Sequence, residues 1–185
     1  MDLAHFYHAW CNGGWHDPVF EHRMALASSD VPGPLHLGVV GGPQERAKVA
    51  AAFGANAEVV AEQRHGWEQV TLMQLAAYAA DHDGAVMYAH TKADHAWRRL
   101  MTARVIYNWR HLLGKLGDGY DVAGNCWRLG PGMLTADPIP HFSGNFWMAT
   151  CAYIRTLPEI RNVYAYDAEK WLGLNDPRAF DTEPE

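Results

Sequence analysis

Ala85-Val86-Met87-Tyr88-Ala89 is an unbroken apolar run, entered through Asp81-His82-Asp83-Gly84 and left through His90-Thr91-Lys92. Short apolar runs bounded by turn residues suit a strand covered on both faces. Upstream, residues 67–80 follow a helical pattern, and Glu58-Val59-Val60-Ala61 reads as a short strand before it. Residues 44–53 form another predicted helix. Leu35-His36-Leu37-Gly38-Val39-Val40 forms another strand, stopped by Gly41-Gly42-Pro43. At the start, His5-Phe6-Tyr7-His8-Ala9-Trp10 is an aromatic first strand ending at Asn12-Gly13-Gly14. A helix follows over residues 17–29, with Asp17-Pro18 as cap and first position. Strands alternating with helices predict an α/β domain: a mostly parallel, doubly wound sheet flanked by helices. Ligands in such sheets lie outside the carboxyl ends of the strands. Asn12 and His90-Thr91-Lys92 are therefore expected on one rim.

Downstream, residues 94–116 predict the longest helix. At about 100° per residue, Val105, Ile106, Trp109, Leu112, Leu113 and Leu116 share a face. Arg99, Arg104, Arg110 and Lys115 lie towards the other. Arg98 falls within the apolar face, where an arginine needs a partner, either a carboxylate or a bound phosphate. Tyr120-Asp121-Val122-Ala123-Gly124 predicts a strand and residues 130–140 a Gly/Pro-rich loop. Residues 148–157 predict a helix ended by Pro158, and Asp167 to Leu172 a helical turn. The domain is expected to span residues 1–175, with 176–185 a loose acidic tail.

The 185 residues, 49% hydrophobic and 19% charged, describe one globular domain without a second core. No run approaches the ~18 apolar residues of a membrane span, and the N-terminus has no signal-peptide pattern. Cys11, Cys126 and Cys151 are odd in number and widely spaced, which suits a reduced compartment. A cytoplasmic location is expected. A net charge of −6 does not favour a large polyanion, although the basic helix beside Trp97 could be a local nucleic-acid face.

His141-Phe142-Ser143-Gly144-Asn145-Phe146-Trp147 gathers three flat aromatics, a hydroxyl, an amide and an imidazole around one glycine. Those groups suit a polyhydroxylated ring, with aromatic faces below and directional hydrogen bonds at its edge. A polar corner leading into a strand or helix would use the same residues. This stretch resembles the HFSGNFWW signature of small bacterial and viral glycosyltransferase-like proteins with a GT-A fold. Met148 stands in place of the second tryptophan. Tyr88-Ala89-His90-Thr91-Lys92 resembles the Y-x-H-T-K-G block of that family, with Ala93 in place of the glycine. Ala168-Glu169-Lys170-Trp171 resembles its A-E-x-W block. The order and spacing agree over roughly residues 5–174.

The resemblance implies a single GT-A-like (Rossmann-like) domain that transfers a sugar from a nucleotide, UDP-sugars being the first candidates. Asn12, Glu68, His90, Thr91, Lys92 and Arg98 are expected on the donor and diphosphate side. His141, Ser143, Gly144, Asn145 and Trp147 are expected on the sugar and acceptor side, with Trp147 a stacking face or wall. Glu169 is the candidate general base, with Asp167 behind it. Many GT-A enzymes hold a divalent metal with Asp-x-Asp. Here Asp81-His82-Asp83 precedes the fourth strand, at the wrong end of the sheet, so Lys92 is expected to neutralise the diphosphate. No metal ligand is assigned. The acceptor is open among glycan, protein, lipid and a hydroxymethylated DNA base. Two rivals stand beside this reading: a non-catalytic sugar- or nucleotide-binding module, and a metal hydrolase using His90 and His141. No ligand spacing of the HExxH kind supports the hydrolase.

Overall fold

Residue alternation along the first strand sets the architecture. In β1 (Leu3–Trp10), Tyr7 and Ala9 turn to one face of the sheet and Ala4 and Phe6 to the other, and all four are buried. A strand buried on both faces must be covered by helices on both sides. The structure, a computed structural model, describes residues 1–130, 138–160 and 165–183.

From β1 the chain runs through α1 (His16–Ser29), β2 (Leu35–Val40), α2 (Pro43–Phe53), β3 (Ala57–Gln63), α3 (Gln69–Asp81) and β4 (Ala85–His90). Then come α4 (His95–Met101), a wide π-type turn at Thr102–Ile106, α5 (Trp109–Gly117), β5 (Val122–Gly124), and the pair β6 (Trp127–Gly130) and β7 (Ile139–Phe142). The chain continues through β8 (Trp147–Thr150), α6 (Cys151–Ile154), α7 (Ala165–Trp171) and β9 (Ala179–Asp181). Seven strands form one sheet in the order β3-β2-β1-β4-β8-β5-β9, and β6 and β7 form a separate antiparallel pair. Within the sheet only β8 runs against its neighbours. The domain is thus the expected α/β sandwich of helices around a mostly parallel sheet. One core lies under α1, α2, α4 and α5, the other under α3, α6 and α7.

Four expectations are corrected. The single helix over 94–116 is interrupted: Tyr107 N–H donates to Thr102 O at 3.0 Å, a five-residue reach, and Asn108 leaves helical geometry at φ −102° and ψ 13°. Arg98, Met101, Val105, Ile106, Trp109 and Leu112 are buried across the interruption. Residues 148–150 are strand rather than helix. Trp147 and Ala149 join one core and Met148 the other, so the run is apolar because both its faces are covered. Helix α1 begins at His16 with Trp15, not Asp17, in the cap position. The tail is not loose throughout, because residues 179–181 pair with β5 as the last strand of the sheet. The expected loop at 130–140 falls largely on residues outside the described ones, but its flanks pair as β6 and β7.

Candidate functional site

The strand order reverses beside β1. Strands β2 and β3 build outward on one side and β4 on the other, so the connections leaving β1 and β4 diverge at their carboxyl ends. Crevices of this kind are where open α/β sheets receive ligands. Trp10 and His90 end the two strands, and His8 lies across from His90. Thr91 extends the ladder: its N–H donates to His8 O at 2.9 Å, and its Oγ1 accepts from Trp10 N–H at 2.9 Å.

A buried polar network stands behind this rim. The Nε2–H of His90 donates to the Gly144 carbonyl at 3.0 Å, and its Nδ1 lies 3.5 Å from Glu68. Glu68, just ahead of α3, accepts from the Tyr88 hydroxyl at 3.0 Å and from Asn145 Nδ2 at 2.6 Å. Asn145 Oδ1 accepts from Trp147 Nε1–H at 2.6 Å. Gly144 N–H donates to Glu169 Oε1 at 2.7 Å. Segments far apart in sequence therefore share one cluster. Burial, then the Glu68 carboxylate, pushes the Tyr88 hydroxyl well above its ordinary range. His8 bonds Thr71 Oγ1 at 2.8 Å, and burial followed by nearby His90 holds its imidazole down at about 3.

Two groups expected to touch a ligand are scaffold instead. Asn145 is 2% exposed and spends both ends of its amide on Glu68 and Trp147. Trp147 is 1% exposed and packs on Tyr88, so it offers no stacking face. Their polar character was legible, but not that they satisfy each other. Arg98, also buried, is claimed by Glu21 at 2.8 Å and by the carbonyls of Lys92 and Ala93. It serves as the structural ion pair, not as a phosphate ligand. Ser143 accepts from Arg128 and donates its N–H to Cys126 O, and the His141 ring sits 3.1 Å from Ile139 O. Both side chains belong to residues that are buried at the β6–β7 junction.

Lys92 is half-buried and makes no ion pair with another described residue; Asn12 is exposed just past β1. Asp167 lies in the first turn of α7, outside the network. Asp81-His82-Asp83 lies at the amino end of β4, where Asp83 pairs with Arg155 at 3.0 Å. On the basic helix, Arg104 reaches Thr182 O, Arg110 reaches Ser29 O and Lys115 pairs with Asp118. Among the described residues, no group of three or more His, Cys, Asp or Glu is arranged to hold a metal ion. None of their helices is long and apolar enough to cross a membrane.

Sequence reasoning assigned no role to Tyr88, His8, Thr71 or Trp10. The signal for His8 and Trp10 was their shared parity on the first strand, which puts both on the α3 side of the sheet. Residues 17–176 match a family described as a domain of unknown function (DUF8361). No curated protein matches the chain.

Proposed function

The chain belongs to the DUF8361 family, whose description carries no activity, so its chemistry rests on its own residues, and we propose that it is a nucleotide-sugar-dependent glycosyltransferase. The observation that carries this reading is the meeting of the three sequence blocks. Glu68 joins His90 to Asn145, and the Gly144 backbone joins His90 to Glu169, in one hydrogen-bonded cluster behind the crevice where an α/β sheet takes its ligand. Lys92, two residues beyond His90 and without an ion pair among the described residues, has the charge a departing diphosphate requires. In the reaction the acceptor hydroxyl gives its proton to Glu169 and its oxygen attacks the anomeric carbon. The bond from that carbon to the diphosphate oxygen breaks, and its electron pair leaves with the nucleotide. One oxygen of Glu169 is held by Gly144 N–H; the other makes no hydrogen bond with a described residue. UDP-sugars are the proposed donors, and the acceptor is a hydroxyl of a glycan, protein, lipid or hydroxymethylated DNA base.

A second reading, a sugar- or nucleotide-binding module without turnover, is favoured by how fully the cluster satisfies itself. Glu68, Asn145 and Trp147 direct their polar groups into the fold. Thermal shift with a panel of nucleotide sugars, followed by nucleotide-release assays on those that bind, tests both readings. A bound donor raises the melting temperature by mass action. Glu169→Gln keeps an acceptor for Gly144 N–H, so it should bind donor like the parent and transfer about 10²–10⁴-fold more slowly. Binding without turnover in the parent selects the module. No shift with any nucleotide sugar removes both.

A further inference from the structure

Trp10 is 42% exposed, although it ends a strand whose residues from Ala4 to Ala9 are all buried. An aromatic left exposed at the end of an otherwise buried strand is free to serve as a flat platform for a ligand. Its backbone is fixed rather than frayed. Trp10 N–H is held by Thr91 Oγ1, and the next residue, Cys11, donates its N–H to Val40 O at 2.7 Å. The lysine beside it is fixed in the same way. Thr91 is tied to β1 through both its N–H and its hydroxyl, so Lys92 leaves the sheet next to Trp10. On the far side, Arg98 Nη1 donates to Lys92 O at 2.5 Å, and Arg98 is anchored by Glu21. The backbones of the indole and the ammonium are thereby locked together, while the ammonium makes no ion pair with a described residue.

One more group completes the set. Asn12 follows two residues beyond Trp10, and β2 leaves the sheet through Gly41 at φ 147°. A Cβ at Gly41 would come within 3.0 Å of Asn12 Oδ1 and 2.9 Å of Cys11 Cβ. Glycine there lets the β2 loop close against Asn12 and hold it at the rim.

We infer that Trp10, Lys92 and Asn12 form the nucleotide seat, with the base stacked on the Trp10 indole, its edge read by Asn12 and the diphosphate on Lys92. This rests on the nucleotide-sugar reading and adds to it the residue that grips the base. A flat π-system on an indole, with an anion one residue width away, is the pattern by which a base and its phosphates are held together. Arg98 and Glu21 act through the Lys92 backbone as positioning residues.

Titration calorimetry of the full chain with UDP, ADP, uridine and inorganic diphosphate tests it. Trp10→Ala should weaken UDP and uridine about tenfold or more and leave diphosphate unchanged. Trp10→Phe should restore most of the UDP affinity. Lys92→Ala should weaken UDP and diphosphate while sparing uridine. Trp10 is exposed, so the variants should melt with the parent. A Trp10→Ala protein that binds UDP and uridine as tightly as the parent overturns the inference and leaves the transferase reading standing. A parent that binds neither UDP nor ADP removes both.

Discussion

At Gly144 the backbone φ is 88°, and a Cβ there would collide with Met101 Sδ and the indole nitrogen of Trp97. Its amide serves Glu169 and its carbonyl serves His90, so the residue works entirely through backbone. Asn145 follows at φ 58°, a conformation that asparagine tolerates better than most residues. Gly144→Ala should therefore cost about 2–4 kcal/mol, from strain and overpacking together, read as a lower urea midpoint at unchanged slope. A second prediction at this scale concerns pH. His5 and His8 are buried with imidazoles held down at about 3, and His22 is also held well below its ordinary range, by burial first in every case. His5 and His22 face each other through their Nε2 atoms at 3.2 Å. The folded-state pKa values lie below the unfolded value near 6.5, so stability is complete above that pH. It is lost progressively as pH falls from about 6.5 towards about 3, because over that range the unfolded chain takes up protons that the folded chain does not. Each of His5 and His8 should remove on the order of 2 kcal/mol by pH 5, measurable as a falling denaturation midpoint. A midpoint flat from pH 7 to 5 contradicts this. The sequence made the polar equipment of the signature legible. It could not reveal that Asn145 and Trp147 are partners, because a donor and an acceptor two residues apart look the same whether they face each other or a ligand.

Helices α1 and α4 are tied by one ion pair at the base of the Lys92 loop. Arg98 is 4% exposed, whereas the Glu21 side chain is 28% exposed and also meets His95 at 3.1 Å. A direct hydrogen bond from Arg98 holds the Glu21 carboxyl below its ordinary range. The two partners should therefore respond unequally to mutation. Glu21→Ala strands a buried guanidinium and should cost about 3 kcal/mol. Arg98→Ala leaves a carboxylate that still reaches solvent and His95, and should cost less. Thermal denaturation of the two variants checks the order, and equal losses would contradict it. Arg98 was legible as an arginine needing a partner, because its place on the apolar face follows from helical periodicity. The interruption after Met101 was not, since a π-type turn preserves local helical composition and changes only the phase. The strand at 147–150 was hidden for a related reason: a segment covered on both faces loses the alternation that distinguishes strand from helix.

Across the whole molecule, the parallel half was readable from alternation alone, and it fixed where a crevice must lie. The other half was harder, because β8 inserts antiparallel between β4 and β5 and β9 closes the edge, pairings that join distant segments. The acidic tail hid a strand: Phe180 packs on Tyr120 and His111, and Asp181 accepts from the N–H groups of Cys126 and Trp127 at 2.8 and 2.7 Å. Deleting residues 179–185 should lower stability by about 2–4 kcal/mol and unprotect β5 amides in hydrogen exchange, with β1 and β2 retaining protection. Uniform loss across the sheet would argue against a separable edge. The same strand order bears on how the chain is born. Strands β1 to β4 can pair as they leave the ribosome, but β4 meets β8 only after several further seconds of synthesis at roughly 5–20 residues per second. Until then an apolar strand destined for the centre of the sheet is an open edge. The edge that later receives β8 is therefore exposed to pairing with other chains while the second half of the protein is still being made.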